Sequence, residues 1–256
     1  MTGRILGILL FLLGGCTSVA DRFVQVEQAV PIDPRSVRFR IQADGSLSSD
    51  GAPLSRDGLV ARMSLPSNEL NLTPVLLETD PEAAFRGVRD ALDALIGRAC
   101  CVHVAFRVDT PSGEGAVELP VLHEPGGWWR LYRGGSYVQM TDENHKSERL
   151  EIVASPASGA SVRIRALKLG VPGHVYFPEA GEKAPDPSWK GAHPPLGLWT
   201  LDPLKQFLGR PDVAALSPYV LFEIESKEKV ADVIRGLALL RSATRGEIVP
   251  SIPTGN

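Results

Sequence analysis

The clearest pattern in the chain is an apolar strand, then a helix with one apolar face, then a strand in which apolar and polar residues alternate. Residues 74–79 form the first strand, and Asp80 and Pro81 are residue types that begin helices. Apolar residues then recur at spacings of three, four and three, as on one helix face: Phe85, Val88, Leu92 and Leu95. Alternation over residues 102–108 indicates the second strand. This pattern predicts a β-α-β unit with parallel strands and a right-handed crossover.

A second unit with the same plan lies near the C-terminus. Residues 219–223 match the first strand, and residues 247–252 would form the closing strand, weakened by Pro250. The apolar helix positions fall 145 residues after their counterparts: Val230, Val233, Leu237 and Leu240. We interpret the two units as an internal duplication, and the alternative is that two unrelated β-α-β units share a common pattern. In the same alignment Glu78 falls on Glu223, and we interpret both as solvated strand-end residues rather than a catalytic pair.

A strand and two turns precede the first unit. Residues 37–41 alternate between apolar and polar types, and the turn signals Asp44-Gly45 and Asp50-Gly51 follow, which together predict a hairpin of short strands. A short helix is predicted over residues 56–63. Residues 162–166 repeat the pattern of residues 37–41, which predicts the equivalent strand of the second unit.

These elements predict an α+β fold made of two modules, each a mixed β-sheet with helices packed on one face. The first module is expected over residues 36–110 and the second over residues 159–256, with a β-rich connecting segment at 111–158. Six prolines lie between residues 170 and 197, and this stretch is predicted to be an extended surface loop of the second module.

The N-terminus has the layout of a bacterial secretion signal. Arg4 precedes an apolar run at residues 5–13, which is shorter than the roughly 20 residues that cross a bilayer. The run ends in Leu-Gly-Gly-Cys, which resembles the lipobox of bacterial lipoproteins, where the cysteine is acylated after cleavage. We therefore expect residues 1–15 to be a signal peptide and Cys16 to carry lipid such as palmitate. The alternative is a buried N-terminal helix with a chance cysteine.

The lipid on Cys16 is expected to be the sole membrane anchor, with the rest of the chain facing the periplasm. Residues 16–35 are interpreted as a tether between the lipid and the first module. Thr17 rather than an aspartate follows the cysteine, which by analogy with enterobacterial sorting favours the outer membrane.

Composition and charge exclude several classes of protein. The chain is 43% hydrophobic and 22% charged, which indicates neither disorder nor a membrane bundle. Its formal charge of −3 leaves no polybasic surface, so nucleic-acid binding is not expected. Cys100 and Cys101 are adjacent and are interpreted as reduced thiols in a buried segment, with a vicinal disulfide as the alternative. No Cys or His spacing suits a metal, and no metal or cofactor is expected.

The motifs of common enzyme classes are missing. We find no G-x-S-x-G elbow, P-loop, G-x-G-x-x-G or H-E-x-x-H motif. The five histidines are scattered along the chain; His103 falls in a predicted strand and is interpreted as structural. His123 and Glu124 could act together as a general base, but no nucleophile motif accompanies them. We therefore do not expect an enzyme.

An aromatic group is the candidate contact site. Trp128, Trp129 and Tyr132 follow a Pro-Gly-Gly turn in the connecting segment. Neighbouring residues of a strand point to opposite faces, so at most one of the two tryptophans can lie in a core. An exposed tryptophan beside Tyr132 would suit a sugar ring or an apolar side chain of a partner. The alternative is that the exposed tryptophan packs against the proline-rich loop.

Residues 37–108 resemble the periplasmic domain of the ExbD/TolR family. The features that carry the likeness are the first strand with its two Asp-Gly turns and the β-α-β segment from Pro74 to Val108. The second half of the chain, about residues 160–252, resembles that domain only in its β-α-β part. ExbD and TolR have a transmembrane helix with an aspartate that serves proton coupling, whereas residues 5–15 contain no acid. The resemblance therefore implies the other role of the family, a periplasmic dimerising or docking domain.

We expect a non-enzymatic envelope lipoprotein that docks to, or assists, an ExbD/TolR-type system for biopolymer transport or envelope maintenance. The expected partners are the membrane through the lipid, envelope proteins or peptidoglycan, and a second copy in a homodimer. The alternative is a periplasmic glycan- or ligand-binding lipoprotein that uses the aromatic group and the proline-rich loop.

Overall fold

The computed structural model describes residues 23–63, 73–96, 102–119, 149–170, 196–245 and 248–251. These residues form two mixed β-sheets and five helices, which confirms the predicted α+β class. The first sheet contains β1 (Val24–Gln25), β2 (Val37–Ile41), β3 (Leu47–Ser49), β4 (Ala52–Pro53), β5 (Thr73–Thr79), β6 (Val102–Thr110) and β7 (Gly113–Leu119). The second contains β8 (Arg149–Ala157), β9 (Ser161–Gly170), β10 (Gly197–Trp199), β11 (Tyr219–Glu223) and β12 (Ile248–Ser251). The helices are α1 (Arg56–Met63), α2 (Phe85–Ile96), α3 (Leu201–Leu208), α4 (Pro211–Ala214) and α5 (Val230–Ala243).

The first β-α-β unit forms as the pattern predicted. β5 and β6 are parallel neighbours joined through α2, and β2 lies parallel to β5 on its other edge. Phe85, Val88 and Leu92 of α2 are buried, because these three residues face the sheet. The hairpin of β2 and β3 turns at Gly45, whose φ of 83° suits a glycine. The predicted helix at residues 56–63 is α1.

The second unit has the same connectivity as the first, but the strand equivalent to β2 is not the one that was predicted. β11 is parallel to β12 and to β8, so β8 takes the place that β2 has in the first sheet. Residues 162–166 lie in β9, the antiparallel partner of β8, and their predicted equivalence with residues 37–41 was wrong. β8 escaped detection because its residues 152–156 are all buried. A strand covered on both faces does not show the alternation of a half-buried strand.

The ends of the expected connecting segment belong to the two sheets. β7 pairs with β6 along residues 104–110, and β8 is a central strand of the second sheet. The expected boundaries at residues 111 and 158 therefore fall in the turns of two hairpins, β6–β7 and β8–β9. Both strands of each hairpin belong to the same sheet. Residues 120–148 lie outside the described residues.

Helix α5 lies between the two sheets, which the predicted arrangement of helices on one face of each sheet did not include. Its predicted apolar residues, from Val230 to Leu240, are completely buried. Ala231, Ile234 and Leu239, which point elsewhere around the helix, are buried as well. The helix contacts β8 and β9 of its own sheet and also β1 and β7 of the first sheet. A single hydrophobic core consequently runs through both sheets.

Candidate functional site

The two β-α-β units meet where the loop before α2 runs antiparallel to the loop before α5; we call residues 80–86 and 224–230 the seam. The backbone N–H of Phe85 donates to the carbonyl oxygen of Glu228 at 2.8 Å. The N–H of Val230 donates to the carbonyl oxygen of Ala83 at 2.9 Å. These two reciprocal backbone hydrogen bonds join the units at the starts of their helices, and a third, from the N–H of Arg86 to the carbonyl oxygen of Ser226 at 2.9 Å, lies beside them.

The seam has local two-fold symmetry. Between the two hydrogen bonds, Ala84 and Lys229 face each other in an antiparallel bridge. They are 145 residues apart, which is the offset that relates the two sequence patterns. A residue that pairs with its own counterpart lies on a two-fold axis, as in an isologous dimer interface. The turns agree as well: the N–H of Ala83 donates to the carbonyl of Asp80, and the N–H of Glu228 to that of Glu225.

Polar side chains also connect the two halves of the seam. The Nζ of Lys229 lies 2.6 Å from Oε2 of Glu82, and both side chains are more than half exposed. Arg89 of α2 donates from Nη1 to the hydroxyl of Ser226 at 2.7 Å, and its side chain is only 15% exposed. The exposed ion pair is screened by water and contributes little to stability, whereas the part-buried hydrogen bond from a guanidinium contributes about 1.5–3 kcal/mol. Arg89 is therefore the stronger side-chain link.

Glu228 is an acid at a position where the first unit has a buried alanine, Ala83. Burial raises the pKa of Glu228 to about 7, and the negative charges of Glu225 and Asp232 act in the same direction. The N–H of Glu225, which donates to Oε2 of Glu228 at 3.0 Å, and the charge of Lys227 both oppose this shift. The seam therefore contains a carboxyl group that titrates near neutral pH.

The outer face of the first sheet has a charged cluster around Glu78 on β5. Arg107 of β6 donates to Glu78 at 3.0 Å and also bonds to Glu114 of β7, while Arg38 of β2 lies 3.6 Å from Glu78. The guanidinium of Arg107 stacks 4.1 Å from the ring centre of Phe23. Glu78 is therefore a paired residue, with a side chain 17% exposed, rather than the solvated strand end that the sequence indicated.

Glu223 on β11 is also ion-paired, because Arg165 of β9, which lies beyond β8 in the second sheet, donates to its Oε2 at 3.0 Å. The two glutamates thus belong to separate ion-paired clusters, one on each sheet. The sequence analysis missed all three arginine partners, Arg38, Arg107 and Arg165. Arginines at alternating positions of β2 and β9 were the available signal for a charged outer face.

A groove of about 360 Å³ opens between the N-terminal segment, β7 and the last turns of α5. Its lining is a mixture of small apolar and polar residues: Gln28, Val30, Glu118, Ala238, Arg241 and Ser242. The hydroxyl of Ser242 lies 3.3 Å from Oε1 of Gln28, and Nη2 of Arg241 lies 3.9 Å from Oε2 of Glu118. The groove thus contains the ion pair of Arg241 and Glu118 and two neutral polar groups beside small apolar residues.

Most residues that the sequence analysis singled out lie outside the described residues: Cys16, Cys100, Cys101, Trp128, Trp129 and Tyr132. The same is true of four of the five histidines, while His103 lies in β6 opposite Pro74 of β5. Within the described ranges no three His, Cys, Asp or Glu side chains are grouped in a way that could hold a metal ion. None of the helices in these ranges is long and apolar enough to cross a membrane.

Comparisons of the chain with protein-family models, with curated proteins and with solved structures found no match. Evidence for function therefore comes from the geometry of the described residues. Its most distinctive feature is the seam, where two equivalent loops pair about a local two-fold axis.

Proposed function

We propose that the protein is a non-enzymatic lipoprotein of the bacterial envelope, in which two ExbD/TolR-like modules form one docking unit. The seam is the observation that carries the proposal. An isologous contact between equal modules normally requires two chains, and here one chain supplies both halves. The likeness of the first module to a dimerising periplasmic domain gives this internal pairing a function, because the fused modules present a two-module surface to a partner.

The docking surface is proposed to belong to an accessory component of an ExbD/TolR-type transport or envelope-maintenance system. The proton-coupling aspartate of that family has no counterpart in residues 5–15, so the energy-using step would belong to a partner protein. A homodimer of the whole chain would need a surface other than the seam, because the seam residues already bond to one another.

The test is crosslinking with mass spectrometry on membranes that contain the native protein. Lys229 and Lys227 are exposed lysines of the seam and are reactive positions for an amine crosslinker. We expect crosslinks from these lysines to envelope proteins of an ExbD/TolR-type system. A protein that is lipidated on Cys16 but gives no reproducible crosslink to any envelope protein would contradict the docking role.

A second candidate function is the binding of a small periplasmic ligand, and the groove beside α5 is the observation that favours it. Its volume of about 360 Å³ falls in the range of small-molecule sites. The guanidinium of Arg241 would pair with an anionic group, such as the carboxylate of a peptidoglycan fragment. A thermal shift with muropeptides that disappears in Arg241→Gln but persists in Arg235→Gln, whose arginine does not line the groove, would support this function. No shift in the native protein would refute it.

A further inference from the structure

The turn just before α5 holds the second unit to the first at the seam; we call residues 225–228 the seam turn. Three donors of the first unit bond to it, at 2.7 to 2.9 Å: the N–H groups of Phe85 and Arg86 and the guanidinium of Arg89. Their acceptors are the carbonyl oxygen of Glu228 and the carbonyl and hydroxyl oxygens of Ser226. The connection between the units therefore depends on the conformation of the seam turn.

The side chain of Glu228 closes the seam turn. The N–H of Glu228 donates to the carbonyl oxygen of Glu225 at 3.1 Å, and the N–H of Glu225 donates to Oε2 of Glu228 at 3.0 Å. This reciprocal pair has the form of a capping box, in which an acid reaches back to the N–H three residues before it. The equivalent turn of the first unit has Ala83 at this position and is held instead by Asp80, whose Oδ1 accepts the N–H of Glu82. Of the two turns, the seam turn alone is closed by a carboxyl at its last residue.

The charges of its own unit do not favour an ionised Glu228. Burial is the main effect that raises its pKa, and the charges of Glu225 and Asp232 add to it. Lys227 acts in the opposite direction, but its Nζ is bonded to Glu225 at 2.7 Å. Asp232 in turn has Arg235 at 3.5 Å.

The charged groups on the facing loop and on α2 have other partners. Lys229 bonds to Glu82 across the seam, and Arg89 bonds to Ser226. Arg86 lies 3.8 Å from Asp90, one turn along α2. Within the part of the chain that the structure describes, Glu228 has no salt bridge to balance a negative charge.

Ionisation of Glu228 therefore works against the closed turn. A neutral carboxyl can stay half buried and accept the N–H of Glu225. A carboxylate at the same place is poorly hydrated and faces two like charges, and both costs fall when the side chain rotates into water. Rotation removes one of the two hydrogen bonds that close the turn.

We propose that the seam turn is a pH-sensitive joint, which stays closed on the first unit while Glu228 is protonated and loosens when Glu228 ionises. This inference goes beyond the proposed function and does not depend on the lipid or on the identity of a partner. It gives the docking unit a more rigid seam in mildly acidic surroundings than in mildly alkaline ones. Helix α5 stays in place in both forms, because its buried residues belong to the hydrophobic core.

The test is amide hydrogen exchange of the purified full chain, resolved to single residues, at pH 6 and pH 8. Exchange is expressed as protection factors, which remove the intrinsic pH dependence of the reaction. The reporters are the amides of Phe85 and Arg86, which donate to the seam turn, and of Glu225, which donates to the carboxyl. We expect their protection to fall about five-fold from pH 6 to pH 8, because ionisation favours the open turn and partial exposure reduces the full effect. The amide of Leu237, in the buried part of α5, should keep its protection.

Glu228→Gln keeps a carbonyl oxygen that can accept the N–H of Glu225 but cannot ionise, so its reporters should be equally protected at both pH values. The matched control is Glu118→Gln, the same change beside Arg241 at the other end of α5, which should retain the five-fold fall. Native protection that does not change with pH, a fall that persists in Glu228→Gln, or an equal fall at Leu237, which indicates global rather than local opening, would each overturn the inference. These outcomes leave the docking proposal standing, since that proposal is tested separately by crosslinking.

Discussion

Substitution of Gly236 by alanine tests the packing of α5 against β11 of its own sheet. In an unobstructed helix, glycine-to-alanine substitution stabilises by about 0.5–1 kcal/mol, because alanine loses less backbone entropy on folding. At Gly236 the new Cβ would lie 2.7 Å from Cζ and 3.3 Å from Cε2 of Phe222. The ring of Phe222 is fully buried on β11, so it cannot move away without displacing other core residues. Overpacking of this kind costs about 1–3 kcal/mol.

The two effects have opposite signs, and their sum predicts that Gly236→Ala lowers the free energy of unfolding by about 1 kcal/mol. Phe222→Leu removes the ring atoms that the Cβ would meet. In the Phe222→Leu background we therefore expect the same alanine to raise the free energy of unfolding by about 0.5–1 kcal/mol. The coupling energy between the two sites would be about 1.5–2 kcal/mol, within the range of residues in contact.

The assay is urea unfolding of the four proteins of this cycle, followed by far-UV circular dichroism. Gly58→Ala in α1 is the matched control, because its new Cβ would meet only the flexible end of Leu54, at 3.0 Å, and the hydroxyl of Ser55. That substitution should be neutral or slightly stabilising. If Gly236→Ala stabilises the native protein as much as it stabilises the Phe222→Leu variant, α5 does not lie against Phe222 and the reasoning is refuted.

Three further predictions concern the seam and the charged cluster. Lys229→Glu places a second acid opposite Glu82 and should lower the free energy of unfolding, while the exchanged pair Glu82→Lys with Lys229→Glu should restore most of the loss; equal stability of the single and exchanged variants would contradict the contact. Folding raises the pKa of Glu228 to about 7, so its protonated form favours the folded state, and its contribution is complete below about pH 4.5 and lost as the pH rises through 7. The native protein should therefore lose about 1–2 kcal/mol of stability relative to Glu228→Gln from pH 5 to pH 8, after allowance for partial exposure. A constant difference between the two proteins would show that the carboxyl is not buried at the seam. Arg107→Leu leaves Glu78 without its main partner and should cost about 1–3 kcal/mol in thermal unfolding, whereas Arg107→Leu with Glu78→Leu should recover part of that loss; an additive double variant would exclude the pair.

Periodic patterns identified the elements that are half buried. The face of α2 and the alternation of β6 were predictable, because one side of each is buried and the other is partly exposed, and β5 was predictable as a continuous run of apolar residues. β8 was not predictable in this way, since residues 152–156 are buried on both faces and no alternation remains. The N-terminal segment was equally hidden: Phe23, Val24 and Val26 are apolar residues in a stretch too short to show a period.

Some features of the candidate site could also be predicted from the sequence, and others required the tertiary structure. The spacing of 145 residues between the two units was visible in the sequence, and so were Glu78 and Glu223 at the ends of the matched strands. The arginines that pair with them come from other strands of the same sheets, and their assignment requires the strand order and register. The pKa of Glu228 likewise depends on burial in the folded structure.

The sequence by itself determined the α+β class, the two β-α-β patterns and the offset between them, because these depend on periods of two and about 3.6 residues along a local stretch. Only the tertiary structure decided that the two units meet at Ala84 and Lys229, that α5 contacts both sheets, and that residues 24–30 pair with β6 and β7 although they lie in the stretch expected to be a tether, residues 16–35. These features arise from contacts between residues far apart in the chain. Hydrogen bonds and close packing at such contacts depend on the relative position of the two elements. No local sequence pattern predicts that position.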